Sequence, residues 1–164
     1  MNEIPNIIME RVDDIPLLLQ QMQRMELPTL MDVHFPAHGN WEGLSLGWVS
    51  TIWLSSILSR GDHRLSHVEP WVGNRLFTLQ TVTGQDVARL DFTDDRLEIV
   101  LRRLSDDTRW AQFESHLNQH TVRVYDLKTD RIHVDSTTAS AYVGVSASGL
   151  FQFGHSKDYR PDLP

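Results

Sequence analysis

Apolar residues recur at helical spacing along the chain as far as about residue 125. The first run has the i, i+3, i+4, i+7 pattern of one helix face: Ile15, Leu18, Leu19 and Met22. The stretch 41–60 is apolar around most of its circumference, which predicts a buried central helix. Gly61 is a natural stop after it. These patterns predict a helical bundle built around the 41–60 helix.

Further helices are predicted between residues 66 and 125. A capping-box pattern at 66–69 precedes a helix over about 70–83. Thr93 is expected to cap the next helix, whose apolar face comprises Leu97, Val100, Leu101 and Leu104. Asp106 or Asp107 opens the last helix, and three of its side chains are expected to face inward: Trp110, Phe113 and Leu117.

The hydrophobic period changes after residue 125. Residues 131–137 alternate apolar and polar side chains, which is typical of a strand, and two short strands are predicted at 142–145 and 150–153. We therefore expect an α+β fold class in two parts. Residues 1–125 are the predicted helical domain, and residues 126–164 are the predicted opening of a β-rich domain.

Composition narrows the classes of function. The formal net charge of −7 argues against a chain that wraps nucleic acid along its whole length, although a local basic face is compatible with it. All but two of the 15 basic residues are arginines, which suit bidentate phosphate contacts. The absence of cysteine excludes disulfides and cysteine–zinc sites, and the N-terminus lacks signal-peptide features, so a cytoplasmic location is expected. The most apolar stretch, 44–58, is too short to span a membrane, so no membrane partner is expected.

Asp135 is the candidate metal ligand, because it lies near the end of the predicted strand 131–137. Divalent cations such as Mg²⁺ bind carboxylate and phosphate oxygens, and paired ions promote phosphoryl transfer. One aspartate does not make such a site, so its partner acids must come from elsewhere.

Three segments around this residue carry a resemblance: Val134-Asp135-Ser136-Thr137-Thr138, residues 149–158 and Arg160-Pro161-Asp162-Leu163. They resemble the start of the catalytic domain of DDE-type insertion-sequence transposases, in the superfamily named after insertion sequence four. Upstream, residues 38–48 and 62–72 resemble the helical N-terminal domain of one group of these transposases.

The resemblance implies an RNase H-like catalytic domain whose first metal-binding aspartate is matched by Asp135. It also implies Mg²⁺ or Mn²⁺ as cofactor, transposon terminal repeats as the DNA partner, and DNA cleavage and strand transfer as the reaction. The second aspartate and the glutamate of the family have no match before Pro164. We therefore expect a truncated transposase that is inactive alone. A second copy or a full-length transposase is the expected protein partner.

Two groups of residues are candidate DNA contacts. His155, Lys157 and Arg160 could line the DNA path beside Asp135, and the alternative is a solvated loop. Arg102 and Arg103, with Arg96 and Arg109, could form a phosphate-facing edge. Acidic neighbours favour a solvated helix face there instead: Asp94, Asp95, Glu98, Asp106 and Asp107.

Other interpretations stay open. The sequence at 135–138 is similar to the first phosphate loop of sugar kinases and related ATPases, although Ser136 stands where that loop needs glycine. A non-enzymatic chain that binds DNA ends or regulates a full-length transposase is the other alternative. The spacing of Asp62, His63 and His67 is loosely compatible with a metal site, but a loop followed by a helix cap is favoured.

Overall fold

The computed structural model describes residues 9–131. Within this range lie the α-helices α1 (Ile15–Arg24), α2 (Leu27–His34), α3 (Leu46–Arg60), α4 (Val68–Gly73), α5 (Leu76–Thr83), α6 (Asp94–Leu104) and α7 (Asp107–Val124), and the 3₁₀ helices Leu65–His67 and Arg89–Phe92. Contacts divide the chain into the units Met1–Leu127 and Lys128–Pro164. All of these helices belong to the first unit, and the described residues of the second, 128–131, are irregular.

The predicted α+β fold class is wrong. Between residues 9 and 131 the chain forms helices and contains no strand or sheet. The strands predicted within 132–137, 142–145 and 150–153 lie outside the described residues. Alternation over such short stretches is a weak basis for a fold class, because a strand is stable only when it pairs with another strand. Apolar residues at helical spacing extend over far more of the chain, and a helix does not need to pair with another segment to form.

The central helix α3 confirms the prediction of a buried helix in the 41–60 stretch. Val49 and Ile52 are fully buried, and α1 and α2 pack against the helix. It begins at Leu46 rather than at residue 41, because Ser45 is its N-cap and accepts a hydrogen bond from the Trp48 N–H at 3.3 Å. It ends where predicted, at Gly61, whose φ of +63° is in the left-handed region that favours glycine.

The contact between α2 and α3 depends on a glycine and an aspartate. Gly47 lies directly against the backbone carbonyl of Pro28, which leaves no room for a Cβ atom. Asp32 then bonds to the start of α3 with both carboxylate oxygens. Oδ1 accepts from the Gly47 N–H at 2.6 Å, and Oδ2 accepts from the Ser45 hydroxyl at 2.7 Å. The two helices are therefore joined by direct backbone contact and by a charged cap.

The single helix predicted at 70–83 is broken into α4 and α5. α4 ends at Gly73 and α5 begins at Leu76. Glu10 caps the second helix from a distant part of the chain, because its carboxylate accepts from the Phe77 N–H at 2.9 Å and from the Thr78 N–H at 2.7 Å. Burial raises the pKa of Glu10, but these hydrogen bonds and the charge of Arg75 outweigh burial, so the pKa is lowered overall.

The last helix, α7, packs against α2 through aromatic residues. Phe113 is buried and its ring centroid lies 5.6 Å from that of Phe35. The prediction that Trp110 faces inward holds for only part of its surface, since it contacts Phe35 and Phe113 but is 42% exposed. On α6, Leu97 and Val100 are buried as predicted.

Leu101 on α6 is a further correction. The sequence pattern predicts that it lies on the apolar face of its helix, but 45% of its surface is exposed. Leu101 contributes instead to an open apolar cavity of about 450 Å³, together with Leu104 and Trp110. The sequence period alone does not show that α7 leaves this part of α6 uncovered.

We expect acid to weaken the packing of α7 against α2. The Nε2 atom of buried His34 lies 2.8 Å from His116 Nδ1, and Arg109 donates to the His34 carbonyl at 3.5 Å. Burial, and secondarily the nearby His116, lower the pKa of His34 below its usual value. The unfolded chain therefore binds more protons there, and the free energy of unfolding should fall as pH drops below about 6.5.

Urea denaturation between pH 5 and pH 8 measures this effect. His34→Gln should show a smaller loss of stability in acid than the wild-type chain, whereas the exposed His38→Gln should behave like wild type. An unchanged pH dependence in His34→Gln would assign the effect to other groups.

Candidate functional site

Most of the predicted site residues lie outside the described residues. Asp135, the predicted catalytic and metal-binding residue, is one of them, and so are the predicted DNA contacts His155, Lys157 and Arg160. Arg102 and Arg103 are the predicted contacts that the structure places, and both lie on α6.

The four arginines that were predicted to form an edge on α6 and α7 have different partners. The Arg102 guanidinium donates to Glu98 one turn earlier, at 2.5 Å, and both side chains are exposed. Arg103 is half-buried. Arg96 lies over the ring of Trp41 at 4.2 Å, and Arg109 pairs with Asp106 at 3.2 Å. The four arginines therefore do not form one phosphate-facing surface.

A different group of arginines lies where α3 ends and the chain passes into α4 and α5. Two depressions of about 460 Å³ and 350 Å³ share Arg60 and Arg75 in their linings. The other lining residues are Arg11, Asp13, Asp14 and Ser59 in the first, and His67, Pro70, Trp71 and Asn74 in the second. We call the two adjoining depressions together the arginine cleft.

Arg75 is held at the base of this cleft. Only 13% of its side chain is exposed, and its guanidinium carbon lies 5.1 Å from the centroid of the Trp71 ring. One NH₂ group donates to the Trp71 carbonyl at 3.4 Å, and the other lies 3.6 Å from Asp13. The buried Nε atom has no hydrogen-bond partner among the described residues. Arg75 is therefore fixed in place, and its unpartnered Nε atom is enclosed by the protein.

Asp62 organises the other basic side chains of the cleft. It pairs with Arg60 at 2.9 Å, with Arg64 at 3.0 Å and with His67 Nδ1 at 2.9 Å. Hydrogen bonds from Arg64, and then that from His67, hold the pKa of Asp62 far below its ordinary range. The Asp62 side chain is only 14% exposed. Asp62 therefore holds the surrounding basic side chains in position, and these side chains are more exposed to solvent than Asp62 is.

The charge balance of this region differs from that of the chain. Four arginines, at positions 11, 60, 64 and 75, stand against four carboxylates, at positions 10, 13, 14 and 62, so the region is formally neutral while the chain carries −7 overall. Asp13 is engaged by Arg11 at 2.7 Å, and Asp14 accepts from the Ser59 hydroxyl. Guanidinium groups bind phosphate and carboxylate oxygens in pairs. The arginine cleft therefore offers guanidinium donors, each of which is paired with a carboxylate within the chain.

Residues of this region also lie at the possible metal site formed by Asp62, His63 and His67. Asp62 and His67 do meet, but Arg60 and Arg64 also occupy the Asp62 carboxylate. His63 lines the separate apolar cavity beside Leu101. No group of three side chains able to hold a metal ion occurs in residues 9–131.

Sequence reasoning missed the arginine cleft. Its residues come from positions as far apart as 11 and 75, so no local pattern marks it. One local signal was present: Arg60 and Arg64 flank Asp62, which placed two arginines around one carboxylate.

Comparison with family models, curated proteins and solved structures found no match to this chain. Within residues 9–131, no helix is both long enough and apolar enough to cross a membrane. The arginine cleft and the motif resemblance are thus the two sources from which a function can be inferred.

Proposed function

We propose that this chain belongs to the DDE-type insertion-sequence transposases and that its helical unit binds the phosphate backbone of transposon-end DNA. The observation that carries the DNA-binding proposal is the sharing of two adjoining depressions by Arg60 and Arg75. The motif resemblance supports transposon-end DNA, rather than a small phosphate compound, as the anion.

The two arginines suit phosphate contacts for different reasons. Arg75 is fixed by Trp71, so little side-chain freedom is lost when it binds. Arg60 is more exposed, with 33% of its side chain accessible, and reaches solvent beside its partner Asp62. Contacts of this kind position DNA and set its register without reading the base sequence.

Two parts of the chain have different roles in this proposed function. The helical unit holds and orients the DNA, and the motif resemblance assigns metal binding to Asp135, with Mg²⁺ or Mn²⁺ as the ion. If Asp135 held such an ion, the ion would supply activation of an attacking oxygen and stabilisation of a leaving oxygen. In this proposal the described residues bind and position the DNA.

Removing basic groups from the arginine cleft should weaken binding to duplex DNA. We expect Arg60→Gln combined with Arg11→Gln to raise the dissociation constant by about tenfold at low salt. The salt slope should fall by about 0.9 for each phosphate that the variant no longer neutralises. The matched control is Arg102→Gln with Arg103→Gln, which removes the same charge from α6. Fluorescence anisotropy with a labelled duplex over a range of salt concentrations measures both quantities.

The two pairs of substitutions separate the cleft from the edge predicted on α6. Loss of binding in the α6 pair, with normal binding in the Arg11 and Arg60 pair, would overturn the cleft assignment. Circular dichroism of each variant checks that its helices are intact.

A further inference from the structure

We propose that the open apolar cavity beside Leu101 binds one small, uncharged aromatic molecule. Its volume of about 450 Å³ lies within the range of about 300–1,000 Å³ that is usual for small-ligand sites. Among the described residues, it shares no lining side chain with the arginine cleft. The inference therefore concerns a second site in the helical unit, and it stands independently of DNA binding.

Side chains from five helical segments converge on this cavity. Met31 comes from α2, Trp53 from α3, Leu65 from the 3₁₀ helix before α4, Leu104 from α6 and Trp110 from α7. Met31 and Trp53 are buried, whereas Trp110 is 42% exposed. The buried side chains therefore form the inner wall of the cavity, and Trp110 stands at its mouth.

The lining favours an uncharged aromatic ligand. Within residues 9–131, it contains no Asp, Glu, Lys or Arg, so a charged molecule would lose its hydration without gaining an ionic partner. The Ser50 hydroxyl is already used, because it donates to the Leu46 carbonyl at 2.8 Å. The indole rings of Trp53 and Trp110 offer faces and edges that pack well against another aromatic ring. The exposed imidazole of His63 can hydrogen-bond a polar substituent on that ring.

The exposed apolar surface at the cavity is too small to hold a second copy of the chain. It comes mainly from Leu101 and Trp110, which are 45% and 42% exposed, and a patch of this kind covers roughly a few hundred Å². A stable interface covers about 800 Å² on each partner. The exposed ion pair of Arg102 with Glu98 adjoins Leu101 on α6, and a protein partner would have to remove water from it. A small molecule fills the cavity without covering that pair.

The test uses N-phenyl-1-naphthylamine, an uncharged aromatic dye whose fluorescence rises in apolar surroundings. We expect the full chain to bind the dye saturably, with one molecule for each chain. Leu101→Trp places a larger ring at the mouth of the cavity and should raise the dissociation constant by about tenfold. Ile99→Trp is the matched control, because Ile99 lies on the same helix, is 41% exposed and does not line the cavity. This control should bind the dye like wild type.

Three results would overturn the proposal. One is the absence of saturable dye binding to the wild-type chain. The second is equal affinity of the Leu101 and Ile99 variants, which would show that the dye adheres to exposed apolar side chains in general. The third is a wild-type dimer in sedimentation equilibrium that Leu101→Trp dissociates, which would assign the cavity to a second copy. Leu104→Phe, which adds bulk from another lining position, keeps the test decisive if circular dichroism shows that Leu101→Trp is misfolded.

Discussion

Replacing Gly47 with alanine should destabilise the helical unit by about 3 kcal/mol, the upper part of the range for overpacked sites. The added methyl group would overlap the Pro28 carbonyl oxygen and stand 2.9 Å from the Asp32 carboxylate carbon. Neither atom can move freely, because one is backbone and the other is held by two hydrogen bonds to the start of α3. The loss is expected although alanine is the better helix former by about 1 kcal/mol.

Gly39→Ala is the matched control. Nothing lies within 4 Å of a Cβ atom built at Gly39, so this variant should be as stable as wild type or slightly more so. Urea denaturation followed by circular dichroism gives both free energies of unfolding. Equal stability of the two variants would show that α2 and α3 do not approach as closely as described.

Asp91→Ala should also cost about 3 kcal/mol or more, because it removes a buried charge that several groups share. Asp91 is 5% exposed. It accepts from the Leu44 N–H at 3.2 Å and from the Ala88 N–H at 3.0 Å, and it lies 3.4 Å from the Arg96 guanidinium. The substitution therefore leaves two backbone donors without their acceptor and removes the carboxylate partner of the partly buried Arg96.

An exposed ion pair provides the comparison for Asp91. Glu98→Ala breaks the surface pair with Arg102 and should change the free energy of unfolding by no more than about 0.5 kcal/mol. Thermal and urea denaturation of the two variants under the same conditions make the comparison. A loss at Asp91 as small as that at Glu98 would contradict a structural role for the buried carboxylate.

The elements that the sequence predicted well are those whose signals are local. The burial of α3 follows from its apolar circumference, and its end follows from Gly61. The first helix begins at Ile15 after Asp14, where the predicted apolar run starts, and Pro16 lies in its first turn. Asp14, however, does not cap that helix with its side chain, and its carboxylate accepts from Ser59 instead.

The features that the sequence did not show depend on contacts between distant residues. The break between α4 and α5 is stabilised by Glu10, which lies 67 residues before Phe77. Leu101 lies in an open cavity lined by residues of α2, α3, α6 and α7, which no local pattern shows. The predicted α+β class failed for a related reason, since a sheet requires pairing between strands that a single stretch of alternating residues does not establish.

The sequence also did not show which charged residues lie together in the candidate site. Arg102 and Arg103 are adjacent in sequence, which makes them conspicuous, but Glu98 engages the first of them. Arg60 and Arg75 are 15 positions apart and each stands near an aspartate, yet they share a cleft. A count of charges along the chain does not distinguish a carboxylate that neutralises a basic surface from one that supports it.

The most direct test of the central claim is a titration of the isotopically labelled chain with duplex DNA, followed through the arginine Nε–H resonances by NMR. We expect the signals of Arg60 and Arg75 to shift together and to saturate at the same DNA concentration, while those of Arg102 and Arg103 stay in place. Shifts centred on α6, or no shift of the Arg60 and Arg75 signals at low salt, would contradict the assignment of DNA binding to the arginine cleft.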